Sequence, residues 1–227
     1  MAGFPDFAGK LLKEWNLPQH IFKIAEPCVG SITVKLHTSW CDVPPLAVNP
    51  KELSSENWGR RLWIQVDNQQ LAQLFCGLSR LEDDQHRPLC IRVARMLYSL
   101  LENHWRPRTD REAFVEWDPR GFNALADHAA NVAMDSGHDW DQSDPEAMHE
   151  AQHENVRIRV RSDGALRRNG KAAAGMAMIA YFPDGSIVAL RRAGRILQGV
   201  SSAFVSEAVA LEWSVQCFFE FCGLSVT

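Results

Sequence analysis

At 227 residues, with 46% hydrophobic and 23% charged side chains, the chain has material for one substantial core plus an extension, or for two small domains. Its formal charge of −4 and pI near 6.1 exclude nucleic-acid binding through bulk positive charge, while leaving room for a local basic patch. The six cysteines (Cys28, Cys41, Cys76, Cys90, Cys217, Cys222) form no CxxC pair, and the first thirty residues mix charges among the apolar groups. Reduced, buried thiols in a soluble intracellular protein are therefore expected, with neither a signal peptide nor a membrane span.

Residues 1–59 read as an N-terminal extension of unassigned role. Phe7 to Leu17 has the spacing of a short amphipathic helix, Ser31 to His37 alternates like a half-buried strand, and Pro44-Pro45 breaks the pattern. From Arg61 the pattern sharpens. Leu62, Ile64 and Val66 alternate with Trp63, Gln65 and Asp67, predicting a strand that ends in an acid. A helix from Gln69 to Cys76 follows, with Asp67 or Asn68 as its cap and Gly77 as its stop. Leu89, Val93, Met96, Leu97, Leu100 and Leu101 mark the core stripe of a second helix. Ala113 to Trp117 reads as a short strand, and Asn123 as the cap of a helix through Met134 that carries Asp127 in its first turn.

Residues 135–155 hold seven acids and no Lys or Arg, which predicts a solvated linker with a short helix starting at Pro145. Beyond it, Val156, Ile158 and Val160 alternate with Arg157, Arg159 and Arg161 up to Asp163-Gly164, a second strand that leads to an acid. Strands at Ala173 to Phe182 and Ser186 to Ala193 flank the hairpin turn Pro183-Asp184-Gly185. Ser201 or Ser202 then caps a helix with the apolar stripe Phe204, Ala208, Leu211, Val215 and Phe218, and Glu207 lies in its first turns.

Two strands that reach an acid at the same point of their pattern, and two helices with an early acid, predict a shared site of Asp163, Glu207, Asp67 and Asp127. Four carboxylates at close range repel one another and need a counter-charge. An oxygen-only donor set selects Mg²⁺ or Mn²⁺, and two such ions about 4 Å apart serve phosphodiester hydrolysis.

The two acidic segments resemble the halves of a ribonuclease H domain of the reverse-transcriptase-associated type, known from retroelements and plant-like relatives. SDGALRRNGKAAAGMAMIAYFPDG is similar to that family's first strand, second strand and hairpin, and SSAFVSEAVALEWSV to its first helix. VDNQQLAQLFCG is similar to the fourth strand and following helix, and WDPRGFNALADHAAN to the final strand and helix. The later half comes first, so the resemblance implies an α/β, ribonuclease H-like, five-stranded mixed sheet flanked by helices and circularly permuted: residues 60–136 as the C-terminal half, 137–155 as linker and 156–227 as the N-terminal half. A swapped dimer, or two decayed partial domains, would also account for that order.

The resemblance further implies a two-metal endoribonuclease acting on the RNA strand of RNA/DNA hybrids, of retroelement origin. Asp163 and Asp67 would hold both ions, Glu207 the one on the leaving side and Asp127 the one that activates water. Arg167, Arg168, Lys171, Arg191, Arg192 and Arg195 are candidate phosphate contacts. His128 adjoins Asp127, and its role is left open. Two rival readings stand beside this one. A ribonuclease H-like module without activity would bind nucleic acid or a protein partner. His149-Glu150-Ala151-Gln152-His153 matches the HExxH of zinc proteases, but it lies in a short acidic linker with no later histidine to complete a site.

Overall fold

A computed structural model describes residues 32–34, 46–48, 60–75, 86–103, 105, 114–153 and 155–224. The expected helix at 7–17, the stop at Gly77 and three of the cysteines (Cys28, Cys41, Cys76) lie outside the described residues. Two short strands of the extension, β1 (Ile32–Val34) and β2 (Leu46–Val48), pair antiparallel. The main body runs β3 (Arg61–Val66), α1 (Gln69–Phe75), α2 (Arg87–Glu102), β4 (Val115–Trp117), a 3₁₀ turn (Arg120–Phe122), α3 (Ala124–Ser136), β5 (Trp140–Ser143), α4 (Pro145–His153), β6 (Arg157–Leu166), β7 (Ala172–Tyr181), β8 (Ile187–Leu197) and α5 (Ala203–Phe221).

Six strands form one mixed sheet in the order β4-β3-β6-β7-β8-β5. β3 is parallel to β4 on one side and to β6 on the other, and the remaining pairs are antiparallel. The segments on either side of the acidic stretch thus contribute to a single sheet. One face packs Leu62, Ile64, Val66, Ile158, Val160 and Met178 against α1, α2 and α5. The other face receives α3, through Leu125 beside Trp63 and Ile179, and through Ala130 and Ala133 beside Ala173.

The sheet has six strands where five were expected, because the acidic stretch is not merely a solvated linker. α4 starts at Pro145 as expected, but Trp140–Ser143 adds an edge strand along β8. Three of its acids are built into the fold. Asp141 takes a forked pair of bonds from Arg191 (2.9 and 2.5 Å), Asp139 accepts the Ile196 N–H at 2.7 Å, and Asp144 caps α4 through the Ala147 N–H at 3.0 Å. A charge run without basic neighbours in sequence finds them across the sheet.

Burial departs from the alternating pattern as well. The arginines of β6 would line a wet face in a half-exposed strand, yet Arg159 is 1% exposed and Arg157 and Arg161 are buried beside it. The Arg159 guanidinium lies over the rings of Trp63 (5.3 Å) and Tyr181 (5.1 Å), its neighbours on β3 and β7. Burial pulls the Arg161 pKa down, with Tyr181 and Asp118 acting against it.

Candidate functional site

The last paired rung of β3 and β6 is Val66–Ser162. One residue further on come Asp67 and Asp163, so the shared register of two parallel strands delivers both acids to the same edge of the sheet. Division of labour at the start of α1 keeps Asp67 available. The helix is capped by Asn68, whose Oδ1 accepts the Leu71 N–H at 2.9 Å.

Glu207 comes from the opposite side of β6. Ser202 caps α5 by accepting the Val205 N–H at 3.2 Å, and the helix then runs directly over Gly164. A Cβ on Gly164 would lie 2.2 Å from Glu207 N and from Ser206 C, so only glycine lets helix and strand backbones approach this closely. Two bonds fix the contact: the Gly164 N–H donates to Glu207 Oε2 at 3.0 Å, and the Ser206 hydroxyl sits 3.1 Å from the Gly164 carbonyl. The strand does not turn at Asp163-Gly164 but continues to Leu166.

Among the described residues, Asp67, Asp163 and Glu207 can each offer an oxygen within 4.8 Å of the others'. All three side chains are buried: Asp163 is 3% exposed, Glu207 4%, and the Asp67 side chain 2%. Burial, then the charges of Asp67 and Asp127, push Asp163 up to about 7, against the pull of Arg120 and the Asn123 amide. Burial and the charges of Asp163 and Asp67 likewise hold Glu207 well above the usual carboxylate range.

Asp127 stands in the first turn of α3, half-buried, and acts on Asp163 through its charge rather than as part of the three-acid group. Its helix is held close to the sheet by two more glycines. A Cβ on Gly175 would meet the Ala126 carbonyl oxygen at 2.0 Å, and one on Gly194 the Ala129 carbonyl oxygen at 2.3 Å. Asn123 does not cap α3 with its side chain, as its position suggested. It donates instead to the Ser162 carbonyl at 2.9 Å, tying the helix start to the strand that carries Asp163.

Arg120, which no sequence motif singles out, donates from Nε to Asp67 Oδ2 at 2.9 Å. The only signal for it was the Asp118-Pro119-Arg120-Gly121 turn after a short strand. Among the basic residues expected to meet phosphate, Arg167 pairs with Asp135, Arg191 with Asp141, and Arg192 is buried against Gln142 and Trp140. Arg168, Lys171 and Arg195 are exposed. His149 and Glu150 of the HExxH sequence are exposed on the short helix α4.

The donor chemistry suits a hard divalent cation. It offers carboxylate oxygens only, desolvated and mutually repelling, and Asp67 Oδ1 is buried with no hydrogen-bond partner among the described residues.

No protein-family model matches the chain, and no curated protein does. Among solved structures it is similar to the PelC dodecamer from Paraburkholderia phytofirmans at a TM-score of 0.28 and 9% identity, over 76% of this chain and 93% of that one. A single-substitution variant of the same dodecamer gives 0.26 and 12%, over 71% and 89%. Likeness at that level carries no argument about fold or activity. Among the described residues no helix is long and apolar enough to cross a membrane.

Proposed function

We propose that this chain is a circularly permuted ribonuclease H-like nuclease that hydrolyses the RNA strand of RNA/DNA hybrids with Mg²⁺ or Mn²⁺. The observation that carries the reading is the convergence of Asp67, Asp163 and Glu207, from segments up to 140 positions apart in the chain, on one buried cluster where the parallel pairing of β3 and β6 ends. Strand order adds support. Read from β6 and leaving aside the extension, the 3₁₀ turn and the 137–155 segment with β5 and α4, the elements run strand, strand, strand, helix and then strand, helix, helix, strand, helix, as the resemblance implies once the two halves are exchanged.

In this reading Asp67 and Asp163 hold the cations, Glu207 completes one site and Asp127 approaches from α3 to complete the other. Bound there, a divalent pair would activate a water and stabilise the leaving oxygen of the phosphodiester. The chain's own contribution is preorganisation. The Gly164 N–H aims the Glu207 carboxylate, the Asn123 amide anchors α3 beside Asp163, and burial makes Asp163 and Glu207 costly to ionise until a cation arrives. The exposed Arg168, Lys171 and Arg195 are the remaining candidates for contacts to the hybrid backbone.

The test is cleavage of a labelled RNA/DNA hybrid by the purified chain with Mg²⁺ or Mn²⁺, beside Asp163→Asn and Asp67→Asn. Cleavage that both substitutions abolish is the expected result. Hybrid binding without cleavage by the wild type would instead assign the chain to the non-catalytic reading.

A further inference from the structure

Arg120 is 81% exposed, yet its Nε hydrogen bond reaches a carboxylate whose side chain is 2% exposed, at the mouth of the acidic cluster. Its backbone is held in place. The Asp118 N–H donates to the Val66 carbonyl at 2.9 Å, the Trp117 indole N–H donates to the Asp67 carbonyl at 3.2 Å, and Pro119 sets the start of the one-turn 3₁₀ segment at φ −55°. The side chain, in contrast, is held among the described residues by Nε alone. The guanidinium is a permanent cation set against one carboxylate of the three-acid group that would ligate metal. A second observation marks the place as a ligand's: Asp67 Oδ1, buried in the same cluster, has no hydrogen-bond partner among the described residues.

We propose that Arg120 is a phosphate-binding catalytic residue, docked on Asp67 only until a divalent cation takes that carboxylate. The proposal rests on the nuclease reading above. With its arginine 81% exposed the pair is open to solvent screening, and a divalent cation held by several carboxylates at once competes with it for Asp67. The released guanidinium remains anchored by its short loop at the mouth of the cluster. There its planar fork of donors matches two oxygens of a phosphodiester, which a lysine at the same point would engage only as a point charge.

Two measurements on Arg120→Gln and Arg120→Lys test this: Mn²⁺ affinity without substrate, by electron paramagnetic resonance, and steady-state cleavage of the RNA/DNA hybrid. Removing the docked cation in Arg120→Gln is expected to tighten Mn²⁺ binding about three- to tenfold and to reduce kcat/KM at saturating Mn²⁺ about tenfold or more. Arg120→Lys is expected to recover part of the cleavage. Unchanged or weaker Mn²⁺ binding by Arg120→Gln would overturn the docking. Tighter Mn²⁺ binding with undiminished cleavage would make Arg120 a simple obstruction and overturn its phosphate role. Asp163→Asn keeps this failure separate from failure of the nuclease reading. If Asp163→Asn abolishes Mn²⁺ binding and cleavage while Arg120→Gln leaves both unchanged, only the role of Arg120 is lost. If the wild type neither binds Mn²⁺ nor cleaves, both proposals fall.

Discussion

Asp163→Asn should stabilise the metal-free protein, and by an amount that grows with pH. Carrying the Asp163 carboxyl from its ordinary 3.8 to about 7 means that ionising it in the folded, metal-free state costs about 4 kcal/mol relative to the unfolded chain. The folded state holds this proton where the unfolded state has lost it, so stability falls as pH rises from about 4 to about 7 and then levels off. Asparagine keeps the shape and removes the charge. In urea unfolding with a chelator present, the variant should gain about 1.5 kcal/mol at pH 5 and about 4 kcal/mol at pH 8 over the wild type. Excess Mg²⁺ should narrow the gap at pH 8, since a ligand at ten times its Kd contributes about 1.4 kcal/mol to the form that binds it. A gain that does not change with pH, or a variant less stable than the wild type at pH 8, would refute the picture of a buried carboxylate opposed by like charges.

Gly164→Ala should force α5 away from β6, because the added methyl has backbone rather than a flexible side chain in its way. A loss of about 3 kcal/mol, or about 6–12 °C in Tm, is expected by calorimetry, together with loss of hybrid cleavage as Glu207 moves off its Gly164 bond. Ser202→Ala removes only the cap of α5 and should cost about 1 kcal/mol in urea unfolding, with cleavage at 25 °C within about twofold of the wild type.

Much of the fold is legible in local pattern. Alternation puts Leu62, Ile64 and Val66 on one face, helical spacing marks the stripe of α2, and Pro183-Asp184-Gly185 marks the β7–β8 hairpin, where Gly185 has φ 88°. The edge strand β5 was not legible. Trp140–Ser143 carries no apolar alternation, and what makes it a strand is β8 beside it and Arg191 facing Asp141. The burial of Arg159 was hidden for the same reason, since its partners Trp63 and Tyr181 come from other strands. Three of the four candidate acids are drawn together into one group, and they lay where a strand or helix pattern fixed their direction. Arg120 was missed because it sits on an irregular turn, where periodicity says nothing about where a side chain points. Gly164 reads in sequence as the end of a strand, whereas its reason lies in a helix 42 residues later.

The parallel pairing of β3 with β6 also sets a timetable for synthesis. β3 is complete at Val66, whereas its partner is finished only at Leu166, 100 residues later, or about 5–20 s at common translation rates. Through that interval one edge of β3 has no neighbour, and an open edge is a template for pairing with the wrong chain. The aggregation hazard of this protein therefore peaks before β6 leaves the ribosome, and the strand that ends the hazard is the one that brings Asp163 to the site.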